Sequence, residues 1–240
     1  MSFLAHLDEL RRRLVVSVSA IGVGFLIAFA FIDRIFGFIM RPLQQILPAG
    51  GKLVYTEPTE AFMLQLKVAA LAGLVISAPV IMWQLWLFVA PGLYAREKRF
   101  ALPFVLFSTV SFVGGAAFSH YIVFPAAWTF FASFNNDYMQ FMPKISEAFG
   151  LYAYMMLAFA VIFQMPTLVL ALARMGVVTA GFLWRHTKYA ILIIFILAAV
   201  ITPSSDVVNQ TLMAGPMIAL YLLSIIIAWV FGRKRRTSDD

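Results

Sequence analysis

The chain has 240 residues, 62% of them hydrophobic and only 12% charged, with a formal net charge of +7 and no cysteine. A soluble domain is about half apolar and about a quarter charged, so a soluble fold is excluded and the excess apolar surface must face lipid. The missing cysteine removes disulfides, thiolate metal sites and thiol nucleophiles together.

A helix needs about 20 mostly apolar residues to cross about 30 Å of hydrocarbon. Six spans are predicted on that criterion, at about 14–32, 62–89, 100–124, 151–173, 183–201 and 212–231, and they fill one polytopic domain over residues 1–240. The chain starts amphipathically, with Phe3, Leu7, Leu10 and Leu14 on one helical face and Arg11, Arg12 and Arg13 in reach of anionic headgroups. This start does not read as a cleavable signal peptide, because its apolar run is too long and lacks a small-residue cleavage site. After the first span, Ile35, Phe38, Ile39, Pro42, Leu43 and Ile46 recur at helical spacing opposite Arg34, Arg41, Gln44 and Gln45. That pattern predicts an amphipathic helix on the outer interface. A short extended run, Lys52 to Thr56, follows, and the second helix starts near Ala61. Pro91-Gly92 ends that helix.

The segment from His120 to Gly150 reads as a long outer connection whose Tyr121, Trp128 and Tyr138 belong to an aromatic belt. In the fourth span Gln164 stands just before Pro166, where a kink is expected. The fifth core, Tyr189 to Ile201, is short, and the sixth span, also predicted short, carries Pro216. Pro79, Pro103 and Pro125 argue for bent helices. Neither the alternation of a barrel strand nor the internal repeat of many transporters is present.

Thirteen of the 18 basic residues fall on one side of these spans: Arg11 to Arg13; Arg96, Lys98 and Arg99; Arg174, Arg185 and Lys188; and Arg233 to Arg236. Arg34, Arg41, Lys52, Lys67 and Lys144 fall on the other. The basic excess marks the cytoplasmic side, which puts both termini there and accounts for the net charge without a nucleic-acid partner.

The chemistry-bearing residues are few. His6, His120 and His186 stand apart from one another and from carboxylates at metal-ligand spacing, and no G-x-S-x-G, H-E-x-x-H or phosphate loop occurs. Neither an enzyme nor a cofactor is expected. Apart from Asp239 and Asp240, the cytoplasmic acids are Asp8, Glu9 and Glu97. Asp8 with Arg12, and Glu9 with Arg13, are i,i+4 pairs in the favourable order. Glu97 is either a solvated partner of Arg96, Lys98 or Arg99 or a receptor for a cationic ligand. A guanidinium makes paired planar bonds to a carboxylate that an ammonium cannot copy. Phe88, Leu93 and Tyr94 set apolar surface beside Glu97, either to meet a peptide with arginines next to apolar residues or to anchor in headgroups. Gln164 is either bonded to a neighbouring helix or faces a water-holding concavity. Asp206 lies in the outer turn Thr202-Pro203-Ser204-Ser205-Asp206, where Asp commonly bonds nearby backbone.

Six ordered motifs together resemble one family. They are His6-Leu7-Asp8-Glu9-Leu10-Arg11-Arg12-Arg13, Pro58-Thr59-Glu60-Ala61-Phe62, Ser77-Ala78-Pro79-Val80, the run Phe88 to Arg99, Phe163-Gln164-Met165-Pro166, and Thr202-Pro203 to Asp206 with Gln210. Over nearly its whole length the chain resembles TatC, the core receptor of the twin-arginine protein translocase. The resemblance implies six tilted helices in a concave, glove-like arrangement in the bacterial inner membrane. It implies binding of twin-arginine signal peptides at the cytoplasmic face and export of folded proteins driven by the proton-motive force. By position, Glu9 and Glu97 would receive the arginines, and Arg11, Phe88, Pro91, Leu93, Tyr94 and Arg99 would shape that surface. The implied partners are the single-span TatA and TatB, docking near Thr202, Pro203, Asp206 and Gln210, and further copies of the chain. Members of the family often carry glutamate where this chain has Gln164. A glutamine resembles the neutral carboxyl that a membrane interior favours, so a hydrogen-bonding rather than a proton-carrying role is expected there. The competing readings are a small-molecule or ion secondary transporter, which normally carries mid-span charges, and an intramembrane enzyme, which needs a constellation this chain lacks.

Overall fold

The computed structural model describes residues 3–47, 53–89, 101–136, 138–202 and 206–232. Regular structure among the described residues is helical, with two isolated bridges, Val54 with Lys144 and Asn136 with Met139. Lipid offers no partner for backbone N–H and C=O groups, and a helix satisfies them within its own segment. Five helical stretches are long and apolar enough to cross a membrane: Leu7–Ala30, Glu60–Phe88, Leu102–Ala132, Ile145–Arg174 and Val207–Phe231. Thr187–Ile201 is a shorter apolar helix. The fold class is the all-α membrane protein expected from composition.

The chain divides into two compact units, Met1–Leu157 and Ala158–Asp240. In the first, α1 (Phe3–Ala30) joins the amphipathic start and the first apolar run into one helix. α2 (Ile32–Gln45) follows, burying Ile39, Met40, Pro42 and Leu43, the face that the spacing predicted. α3 (Glu60–Val89) is the centre of this unit and packs against α1, α2 and α4 (Ala101–Phe118). The apolar window of α3 is 44% buried and that of α1 only 11%, so α1 is the peripheral member of the pair.

α4 passes through a π-helical turn, Ser119–Val123, into α5 (Phe124–Ala132). The third apolar stretch therefore continues beyond the expected end at Phe124, and His120, Tyr121 and Trp128 are helical rather than part of an outer connection. Pro125 does not stop it, because at the start of α5 its missing N–H is tolerated. α6 (Ile145–Ile162) completes the core, in which Met40, Leu43, Leu64, Val68, Phe124 and Tyr152 are fully enclosed.

The second unit contains α7 (Met165–Arg174), α8 (Ala180–Arg185), α9 (Thr187–Ile201) and α10 (Val207–Phe231). Val169 and Ala173 of α7 pack on Ala228 of α10, flanked by Ala180 and Leu183. Gly176 closes α7 with φ of 75°, a left-handed conformation suited to glycine, and Val177 N then donates to Leu172 O at 2.9 Å. Tyr221 of α10 donates its hydroxyl to Leu183 O at 2.8 Å, tying α10 to α8. The expected fifth span is two helices with His186 between them. α10 reaches 25 residues, starting at Val207 instead of near Leu212, because Asp206 caps it.

Candidate functional site

The site residues on α1 and α3 are set by one close approach. A Cβ added to Gly73 would lie 2.5 Å from Phe25 N and 2.7 Å from Phe25 Cα, and one added to Gly24 would run into Gly73 O. Glycine at both positions lets the two backbones touch. Eleven residues before Gly24 is Arg13, eleven after Gly73 is Gln84, and Arg13 Nη1 donates to Gln84 Oε1 at 3.3 Å. The helices thus run antiparallel in one register over three turns. Four more residues along each put Glu9 level with Phe88.

At this end Arg13 Nη2 donates to Glu9 Oε1 at 3.1 Å, with side-chain exposures of 26% and 21%. Arg13 Nε is buried with no hydrogen-bond partner. Asp8 and Arg12 are exposed and are not paired with each other, although their spacing matches that of Glu9 and Arg13. The difference is Gln84, which holds the Arg13 guanidinium on the α3 side. Arg11 is exposed and Phe88 half-buried. Pro91, Leu93, Tyr94, Glu97 and Arg99 lie outside the described residues.

The opposite end of α3 carries a polar clamp to which the sequence reading gave no role. Glu60, 8% exposed, accepts from Thr56 N at 3.0 Å and Ser146 N at 3.2 Å, and Lys144 Nζ approaches it to 3.9 Å. Ile145 N donates to Val54 O at 2.9 Å, and Val54 N to Pro143 O at 3.2 Å. One carboxylate thereby joins the segment before α3 to the segment before α6. A cavity of about 270 Å³ beside it is lined in part by Lys67, Lys144 and Ser146. The expected extended run thus survives as the bridge at Val54.

A third cluster surrounds the π-helical turn. His120, 5% exposed, shares a hydrogen bond of 2.9 Å between its Nδ1 and the Tyr152 hydroxyl. Phe38 of α2 stacks on the imidazole at 4.3 Å, and Tyr121 meets it edge-on. Phe124 stacks on Trp128, which meets Phe141 edge-on. A histidine inside an unbroken apolar run was the available signal. The expectation of an outer aromatic segment passed over it.

In the second unit, Gln164 lies in the two-residue break between α6 and α7, half-buried, with Leu168 N donating to its carbonyl at 2.8 Å. Pro166 supplies no N–H for the turn before, which gives the break its cause. Asp206 caps α10, accepting from Asn209 N at 2.8 Å and Asn209 Nδ2 at 3.0 Å. Gln210 Nε2 donates to Phe195 O at 3.0 Å, and Thr202 Oγ1 to Ala198 O at 2.7 Å. Pro203 lies outside the described residues. Among the described residues, no group of three His, Asp or Glu is placed to hold a metal ion.

Helices of membrane-crossing length, with their polar side chains bonded mainly at helix ends and breaks, define a multi-pass membrane protein. Residues 5–216 match the family model described as Sec-independent protein translocase protein (TatC). Sec-independent protein translocase protein TatC of Koribacter versatilis is 44% identical, covering 100% of this chain and 91% of its own length. The namesake from Desulforapulum autotrophicum is 45% identical, covering 99% and 88%. A crystal structure of a twin-arginine translocase receptor, TatC, superposes with a TM-score of 0.79 at 34% identity, covering 93% of this chain and 97% of that one. The chain belongs to the TatC family and is a component of a Sec-independent protein translocase.

Proposed function

We propose that this chain is the receptor and core of a twin-arginine translocase in the bacterial inner membrane, with both termini cytoplasmic, and that it works by binding rather than by catalysis. Glu9 and Glu97 receive the consecutive arginines of a signal peptide. Arg11, Phe88, Pro91, Leu93, Tyr94 and Arg99 shape the surface that meets the peptide's apolar residues. TatA and TatB dock near Thr202, Pro203, Asp206 and Gln210, copies of the chain share the receptor complex, and the proton-motive force drives export of folded cargo. Gln164 supplies a neutral hydrogen-bonding point in the membrane.

The observation that carries this reading is the Glu9 carboxylate itself. It already holds a guanidinium at 3.1 Å, and the α1–α3 register sets it level with Phe88. A carboxylate in this position can accept the paired, planar hydrogen bonds that a guanidinium donates. Binding of a synthetic twin-arginine signal peptide and its double-lysine counterpart to the purified chain tests it. Glu9→Gln and Glu97→Gln should each weaken the arginine peptide about tenfold or more and lessen the preference over lysine. Equal binding of both peptides by the parent, or indifference to both substitutions, would refute the receptor reading.

A further inference from the structure

Glu9 is already occupied. Arg13 Nη2 holds its Oε1 at 3.1 Å, while Nη1 of the same guanidinium holds Gln84 Oε1 at 3.3 Å. Arg13 Nε is buried without a partner, so these two bonds at the tip set the position of the group. We propose that Arg13 is a resident stand-in for a signal-peptide arginine, and that recognition at Glu9 is an exchange of guanidinium groups. Arg13 gives up Glu9 and stays on Gln84. This inference rests on the reading of Glu9 as the carboxylate that receives the peptide.

The arrangement suits an exchange. Two guanidinium groups crowded on one carboxylate repel each other, so the incoming group must move the resident. The resident pair is partly exposed and one helical turn apart in sequence, a kind of ion pair that is weakly held. Gln84 accepts from the other nitrogen, so the displaced cation keeps an acceptor. Any incoming cation must displace the same resident, so the exchange lowers the affinity of arginine and lysine peptides alike. The choice between them rests on the planar fork that a guanidinium brings to Glu9 and an ammonium lacks. Arg12 carries the same charge one residue away but is exposed and takes no part.

Peptide binding to the full chain in lipid nanodiscs separates the possibilities, with thermal midpoints confirming that each variant is folded. Arg13→Gln should bind the arginine peptide about threefold more tightly, the scale of a partly exposed ion pair. The ratio between the arginine and lysine peptides should stay at the parental value, because both displace the same resident. Gln84→Leu should bind the arginine peptide about threefold more weakly, because the displaced cation loses its acceptor. Arg12→Gln removes an equal charge and should tighten binding less than Arg13→Gln. Unchanged or weaker binding by Arg13→Gln, an equal gain from Arg12→Gln, or parental binding by Gln84→Leu overturns the exchange. If Glu9→Gln leaves the arginine peptide unaffected, the receptor reading of Glu9 fails instead. Binding that depends on Glu9 but is indifferent to Arg13 removes only the exchange.

Discussion

At the scale of single residues, the buried polar pairs differ in what their loss would do. His120 and Tyr152 bond each other in an apolar surround, so Tyr152→Phe leaves an imidazole nitrogen without its partner. That should cost about 1 kcal/mol, measurable by reversible unfolding in mixed detergent. Glu60 holds two backbone amides and a lysine. Glu60→Ala should lower the thermal midpoint and speed amide exchange at Thr56 and Ser146. Of these contacts, the Glu9–Arg13 pair was legible in the sequence, because i,i+4 geometry is local. Gln84 as the second acceptor was not, since it depends on how α1 and α3 are paired, and no spacing within either helix encodes that. Glu60 stands in the motif Pro58-Thr59-Glu60-Ala61-Phe62, but the clamp depends on Ser146 and Lys144, which no local spacing brings to it.

At the scale of elements, the glycine contact makes a sharp comparison. Gly24→Ala drives a methyl into Gly73 and should cost about 1–3 kcal/mol, while Gly22→Ala meets open space and should be near neutral. Thermal denaturation of both variants in one detergent checks the contrast. Asp206→Ala removes the cap of α10 and should cost about 1 kcal/mol, with the loss of amide protection confined to the first turn, including Asn209. The helical character of each apolar run was readable from hydropathy alone, and the break near Gln164 from Pro166. The start of α10 was misjudged by five residues because Val207 and Val208 precede polar Asn209 and Gln210, so the apolar run appears to begin later. The cap, rather than hydropathy, decides where that helix starts.

At the scale of the whole molecule, the absence of cysteine makes orientation directly testable. Gly181→Cys and Tyr138→Cys place single thiols at exposed positions on opposite sides of the proposed membrane topology. In intact spheroplasts an impermeant maleimide should label Tyr138→Cys only, and Gly181→Cys should react after the membrane is opened. The reverse pattern would invert the proposed topology. The proposed orientation rests on basic residues, a signal summed over many positions, whereas the long third stretch is cut short when its aromatics are read as an interface belt. That stretch contains one wide turn, Ser119–Val123. Such a turn holds a residue more than the regular helix around it. Deleting one residue there lets the turn close to regular α-helical geometry, so the helix on either side keeps nearly the same phase and Trp128 still faces Phe141. A deletion within the regular part of α4 would instead rotate everything beyond it by about 100°. Loss of one residue should therefore be tolerated at the wide turn and rejected a few residues earlier, even where the deleted side chain itself matters little.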